Sequence, residues 1–153
     1  MISWLNEKTK KYPYKMAIFG TLIPFWIWYG FFAPLEKMPE GHFQDARSWV
    51  IIFYFLVVFI APIIEELLFR KFLWWILSDV VFRSVNWGSV VALFTTSILF
   101  ACIHGDPHRI MMLMPLSFFL GYLRLKTGSV KPCIVAHMLN NISVFVAVLP
   151  WMP

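Results

Sequence analysis

Residues 50–77 read VIIFYFLVVFIAPIIEELLFRKFLWWIL, and this stretch decides the fold class. It is apolar without interruption as far as Glu65, and it lacks the alternation of apolar and polar residues typical of a half-buried strand. An apolar run of about 20 residues can cross a hydrocarbon core of about 30 Å. Only helices and closed barrels satisfy the backbone in lipid, so the stretch predicts a membrane helix.

The composition of the whole chain agrees with a membrane protein. Of the 153 residues, 60% are hydrophobic and 14% are charged, whereas soluble domains carry about 25% charged residues. There is too little polar surface to cover a water-soluble globule. The net charge of +5 comes from residues spread along the chain, which argues against nucleic-acid binding and favours charges that orient membrane helices.

Further apolar runs predict an all-α fold, a polytopic transmembrane bundle with about five helices. The predicted helices cover residues 14–34, 49–77, 87–104, 110–123 and 133–149. The second is long for one crossing, and a break near Pro62 would raise the count to six. We divide the chain into a segment 1–44, with a basic start, the first helix and a loop, and a core bundle 45–153 that carries the polar motifs.

Basic residues predict the orientation. With five crossings and a cytoplasmic N-terminus, ten of the 13 Lys and Arg residues fall on the inner side, which the positive-inside rule favours. The inner set is Lys8, Lys10, Lys11, Lys15, Arg70, Lys71, Arg83, Arg124, Lys126 and Lys131. We therefore expect a multi-pass protein of the plasma membrane whose first helix is retained rather than cleaved.

Charged side chains inside apolar helices need an explanation, since each costs at least ~2.5 kcal/mol at the bilayer centre. Glu65, Glu66 and Arg70 form the first such cluster. Glu66 and Arg70 are four residues apart, so they share a helix face and can pair. Alternatively the cluster is a helix end in the headgroup region, which explains Arg70 better than two adjacent acids.

Two more clusters occur on later helices. His104 follows Phe100 by one turn at the end of an apolar helix, where a histidine is often a capping or interfacial residue. His137 and Asn141 share one face of the last helix, where polar groups often hydrogen-bond neighbouring helices.

Taken together, the three clusters suit hydrolysis. Desolvation makes a glutamate a stronger base, which suits it to take a proton from water. A histidine can share that work, and an asparagine amide can donate to a developing oxyanion.

The ordered pattern Glu-Glu-x-x-x-Arg, Phe-x-x-x-His and His-x-x-x-Asn resembles the CAAX prenyl protease and bacteriocin-processing family, the type II CAAX endopeptidases or Abi proteins. Gly121 opens a Gly-x-Leu-x-Leu run, and Thr127-Gly128-Ser129 precede the last helix, as in that family. The resemblance covers roughly residues 45–145.

The resemblance implies an intramembrane endopeptidase that acts on a membrane-associated, prenylated or leader-type peptide. It implies that Glu65 activates water with the help of His104, and that His137 and Asn141 stabilise the oxyanion. Glu66 and Arg70 would form a pair that shapes the site, with Phe100 packed beneath it. The expected partners are a peptide or lipid-anchored protein and membrane lipids, with no nucleic acid.

The residues alone leave zinc open, since one carboxylate and two histidines could bind it. We expect no metal and no other cofactor, because the His-Glu-x-x-His spacing of common zinc proteases is absent.

Two other functions compete with proteolysis. One is a non-catalytic bacteriocin self-immunity or scaffold protein that keeps the motifs for structure. The other is a proton-coupled transporter subunit, which the absence of a sequence repeat disfavours.

The predicted helices carry one internal conflict. They place His104 near the outer end of its helix and His137 nearer the inner end of its own. A common site therefore requires a different boundary, and residues 62–86 are the expected place.

Overall fold

The structure is a computed structural model that describes residues 12–32 and 52–148. They form five helices: α1 (Pro13–Phe32), α2 (Ile52–Val81), α3 (Gly88–Cys102), α4 (Pro107–Thr127) and α5 (Lys131–Val148). No strand occurs in these ranges, which confirms the predicted helical fold class. The boundary at 44/45 and the predicted helical residues 33–34, 49–51 and 149 lie outside the described residues.

Helix α2 runs through Pro62 without the break that its length suggested, so that expectation was wrong. The helix is π-helical over Leu56–Ile60, Leu67–Leu73 and Ile76–Val81. In the first of these stretches the Ala61 N–H bonds the Leu56 carbonyl, five residues earlier. The wider turn before Pro62 accommodates the proline ring, which would otherwise clash with a preceding carbonyl.

The turns at the two ends of α4 explain why this helix is longer than predicted. Gly105 has a φ of 73°, and Asp106 then caps α4 by accepting from the His108 N–H at 2.9 Å. At the other end Gly128 has a φ of 67°, a conformation that favours glycine. The Thr127 hydroxyl accepts from the Ser129 N–H at 3.2 Å. The Thr-Gly-Ser connector is thus a helix-ending turn.

Helices α3 and α4 pack closely through small residues. A Cβ added at Gly121 would lie 2.9 Å from the Ser97 hydroxyl and 3.1 Å from Cγ of Leu93. Helix α1 packs on the other side of α4, where the Phe119 ring lies directly against Gly20. A buried apolar core joins α1, α4 and α5, and its members are Ala17, Leu120, Leu123, Cys133 and Ala136.

Two of the described helices are long and apolar enough to cross a membrane. They are α2 and α4, whose most apolar 18-residue windows have mean hydropathies of 2.3 and 1.2, while α3 is apolar but shorter. Many large apolar side chains of α2 point away from the bundle. Ile64, Leu68, Phe72 and Trp75 are each at least half exposed. An exposed apolar stripe of this kind is what a lipid-facing helix presents.

Candidate active site

The acidic pair Glu65 and Glu66 lies near the middle of α2, and its two members differ in exposure. The side chains of Glu66 and Arg70 are fully buried, with Oε2 of the acid 3.5 Å from Nε of the base. The Glu65 side chain points elsewhere on the helix and is 28% exposed. One acid is therefore enclosed with a cation, and the other is accessible.

His137 on α5 lies between these two carboxylates. Its Nδ1 is 3.0 Å from Oε1 of Glu66, and its Nε2 is 3.7 Å from Oε2 of Glu65. Glu66 forms an ion pair with Arg70, and a carboxylate can only accept a hydrogen bond. The proton of this hydrogen bond therefore belongs to Nδ1 of His137. Its Nε2 is left facing Glu65.

The Phe100 ring of α3 forms the floor of this cluster. It is fully buried, and its centroid lies 5.2 Å from the His104 ring and 5.5 Å from the His137 ring. The guanidinium carbon of Arg70 is 4.7 Å from the same centroid, a cation–π contact. One aromatic ring thus separates the two histidines and contacts the buried arginine.

His104 lies two residues beyond the end of α3. Its Nδ1 donates to the Phe100 carbonyl at 2.9 Å, since a carbonyl oxygen only accepts. In a neutral ring this leaves Nε2 as an acceptor. The ring lies within electrostatic range of the Glu65 carboxylate.

The lengths of the helices resolve the conflict over the depth of the two histidines. Helix α3 has 15 residues and α2 has 30, and α3 packs against the C-terminal half of α2. The end of α3 therefore reaches only the middle of its neighbour, beside Glu65. His137 is in the second turn of α5 and meets α2 at the same height.

Asn141 contacts α2 about two turns before the acids. Its amide nitrogen donates to the Val57 carbonyl at 3.0 Å. In the π-helical pattern, where Ala61 bonds Leu56, the next partner of Val57 would be the N–H of Pro62, which proline lacks. The Asn141 amide supplies the missing donor. An amide nitrogen carries two protons, so a second N–H remains for another acceptor.

Sequence reasoning missed Ser117 and Arg124, both on α4. The Ser117 hydroxyl and carbonyl accept from Nη2 of Arg70 at 2.7 and 2.9 Å. Nε of Arg124 donates to the Arg70 carbonyl at 2.8 Å, within a π-helical stretch. The available signal was Arg70 itself, because a guanidinium inside an apolar bundle needs acceptors from neighbouring helices.

The carboxylates and histidines of this cluster are the candidate ligands for a metal. Within residues 12–32 and 52–148, no three His, Cys, Asp or Glu side chains are gathered closely enough to hold a metal ion. The described residues therefore do not fit a zinc site.

A model of the family described as type II CAAX prenyl endopeptidase, Rce1-like, matches residues 47–143, which include every residue of the cluster. The chain belongs to this family. The resemblance seen in the sequence motifs is thereby confirmed. Searches of curated proteins and of solved structures give no match.

Membership in the Rce1-like family defines the class of the protein. The family is one of proteases, so the chain falls among hydrolases. The family and the apolar helices together indicate a membrane protein. The matched range begins after α1, although α1 packs against α4 and α5 in the same bundle.

The structure brings most of the predicted site residues of this Rce1-like protein together. Glu65 and Glu66 contact His137 directly, and Arg70 contacts Glu66. His104 lies against the same Phe100 ring as His137. Asn141 reaches α2 through a backbone carbonyl.

Proposed function

We propose that the protein is an intramembrane endopeptidase in which Glu65 activates a water molecule. One observation carries this proposal: Glu65 is the accessible member of the acidic pair, 28% exposed beside a fully buried Glu66. A general base must reach both water and substrate, so Glu66 is unsuited to the role. Two histidines lie around Glu65 and can share its proton.

In the proposed reaction Glu65 takes a proton from water, and the resulting hydroxide oxygen bonds the scissile carbonyl carbon. The carbonyl π electrons move to its oxygen, which becomes the oxyanion. Glu65 then returns the proton to the amide nitrogen. An electron pair of the oxyanion re-forms the carbonyl, and the C–N bond breaks with its electrons on that nitrogen, which releases an amine and a carboxylic acid. His104 assists by accepting a hydrogen bond from the water through Nε2.

Asn141 and His137 are the proposed donors to the oxyanion. One N–H of Asn141 is used by Val57, and the second serves the substrate. His137 already uses Nδ1 to bond Glu66, so its donation through Nε2 requires protons on both ring nitrogens. Glu66 and Arg70 hold the ring but do not touch the substrate.

The proposed substrate is a membrane-associated peptide, prenylated or of the leader type, or a lipid-anchored protein. The exposed apolar face of α2 supports access from lipid rather than from water. We further propose a multi-pass protein of the plasma membrane with a cytoplasmic N-terminus. The excess of Lys and Arg residues on the inner side supports this orientation. Arg70 is buried and no longer counts among them, but nine basic residues remain on that side.

The test is cleavage of a quenched peptide library, with and without a prenyl group, by the purified full chain in detergent. Glu65→Gln should lower kcat roughly 10²- to 10⁴-fold, because it removes the base. Asp79→Asn is the matched control, an exposed acid of the same helix, and should cleave like the wild type. Equal cleavage by wild type and Glu65→Gln would overturn the assignment, and activity lost to a chelator would overturn the metal-free route.

A second candidate is a non-catalytic self-immunity or scaffold protein. It is favoured by the structural use of the motif residues, since Asn141 bonds the backbone of α2 and Arg70 bonds α4. Cells that depend on the protein for bacteriocin resistance separate the two candidates. A scaffold keeps protecting cells with Glu65→Gln, whereas a protease does not.

A further inference from the structure

Ser117 is a buried serine to which the proposed reaction assigns no part. Nη2 of Arg70 donates to its hydroxyl at 2.7 Å and to its carbonyl at 2.9 Å. Both side chains are fully buried. A guanidinium away from water depends on fixed acceptors, so the position of Ser117 decides the orientation of Arg70.

The Ser117 hydroxyl is itself oriented by α3. It donates its only proton to the Ser97 carbonyl at 2.9 Å, which leaves its lone pairs for Arg70. The Ser97 hydroxyl donates in return to the Ser117 carbonyl at 3.0 Å. The close approach at Gly121, one turn further along α4, holds the two helices at the distance that this exchange needs.

A chain of buried contacts leads from this serine to His137. Arg70 lies 3.5 Å from Oε2 of Glu66, and Oε1 of Glu66 accepts from Nδ1 of His137 at 3.0 Å. Each link is a charged or hydrogen-bonded contact with no exposed partner. Which ring nitrogen of a histidine carries the proton is set by the bond that the other makes.

We infer that Ser117 is a positioning residue that, through Arg70 and Glu66, keeps a proton on Nδ1 of His137. Nε2 thereby faces Glu65 and the proposed substrate without a proton, and it takes up the second proton that the proposed donation to the oxyanion requires. The effect on catalysis rests on the proposed function, whereas the location of the ring proton is a property of the free protein.

The experiment uses the full chain in detergent with ¹⁵N-labelled histidine side chains, and His137→Gln assigns the resonances. In the wild type the neutral His137 ring should carry its proton on Nδ1. Ser117→Ala, and the nearly isosteric Ser117→Cys, should divide the proton between Nδ1 and Nε2. Ser117→Thr, which keeps a hydroxyl, should restore the wild-type spectrum.

Ser143→Ala is the matched control for loss of a buried serine hydroxyl. Ser143 is on α5 and donates only to the Leu139 carbonyl of its own helix, at 2.8 Å. The Ser143→Ala variant should leave the His137 resonances unchanged. A wild-type His137 spectrum in folded Ser117→Ala or Ser117→Cys would overturn the inference and leave Ser117 as a packing residue.

Kinetics give an independent readout. Ser117→Ala should lower kcat about tenfold with little change in KM, as expected when a hydrogen bond to a charged group is lost behind the site. Ser117→Thr should recover most of that loss. If the wild type cleaves no peptide, the proposed function fails, and the histidine spectra still decide the role of Ser117.

Discussion

Nδ1 of His137 lies 3.0 Å from Oε1 of Glu66, although 71 residues separate them in the chain. This bond joins α5 to α2 inside the bundle, where neither side chain meets solvent to any large extent. Glu66 also forms an ion pair with Arg70, so the histidine is hydrogen-bonded to a carboxylate whose charge is paired with a guanidinium. The arrangement orients the ring and leaves the neighbouring Glu65 accessible.

Arg70→Ala should destabilise the protein strongly, because it leaves Glu66 as a buried charge without a cation. We expect a loss of about 3–5 kcal/mol in the free energy of unfolding. Arg109→Ala is the control, since its contact with Asp106 at 3.9 Å is largely exposed and should contribute about 0–1 kcal/mol. Unfolding in mixed micelles measures both.

The double variant Arg70→Met with Glu66→Gln tests whether the unpaired charge of Glu66 causes the loss of stability. It removes both charges and keeps similar side-chain volumes, so it should recover part of the stability that Arg70→Ala loses. A double variant as unstable as the single one would show that the ion pair is not the reason for the loss.

The sequence predicted the acidic and histidine motifs because spacing on a helix is a local property. Glu66 and Arg70 share a face at a spacing of four, and His137 and Asn141 do so as well. The contacts of Ser117 with Arg70 were not predictable in this way. They depend on how α4 packs against α2, which no local periodicity encodes.

The depth of His104 in the bundle also depends on how the helices pack, so local periodicity did not predict it. The predicted boundaries of 87–104 and 49–77 placed the end of α3 too far along its neighbour, because both helices were treated as full crossings. The structure has a 15-residue α3 beside a 30-residue α2. The π-helical turns that carry α2 through Pro62 have no strong signature in the sequence, so a break was the expectation there.

Phe100→Leu should impair the site more than its volume change suggests. The ring spaces His104 from His137 and covers Arg70, and leucine keeps apolar bulk but loses the ring-edge and cation–π contacts. We expect a loss of about 1–2 kcal/mol in stability and a lower kcat. Phe94→Leu is the control on the same helix, because Phe94 is about half exposed and contacts only Phe118 among the described aromatic rings. Equal effects of the two changes would contradict a special role for Phe100.

Pro62→Ala tests the link between the proline and Asn141. Alanine restores an N–H that competes for the Val57 carbonyl, so the Asn141 amide should lose its fixed orientation. We expect kcat to fall while the free energy of unfolding stays the same or rises. Asn141→Ala should lower kcat further, and in that background Pro62→Ala should have no additional effect. Additive losses in the double variant would separate the two residues.

The exposed apolar stripe on α2 predicts that this face of the helix contacts lipid. Leu68 is half exposed in the middle of α2, on the apolar stripe that it forms with Ile64, Phe72 and Trp75, so an aspartate there would face hydrocarbon. Leu68→Asp should weaken membrane insertion of α2 by about 3 kcal/mol, the cost of an acid at the centre of a spanning helix. Ser84→Asp, in the turn after α2, should insert like the wild type. The fraction of chains with α2 inserted, measured by a glycosylation reporter in microsomes, compares the variants. Equal insertion of Leu68→Asp and wild type would mean that this face contacts water or another protein instead of lipid, and access of substrate from the bilayer would lose its support.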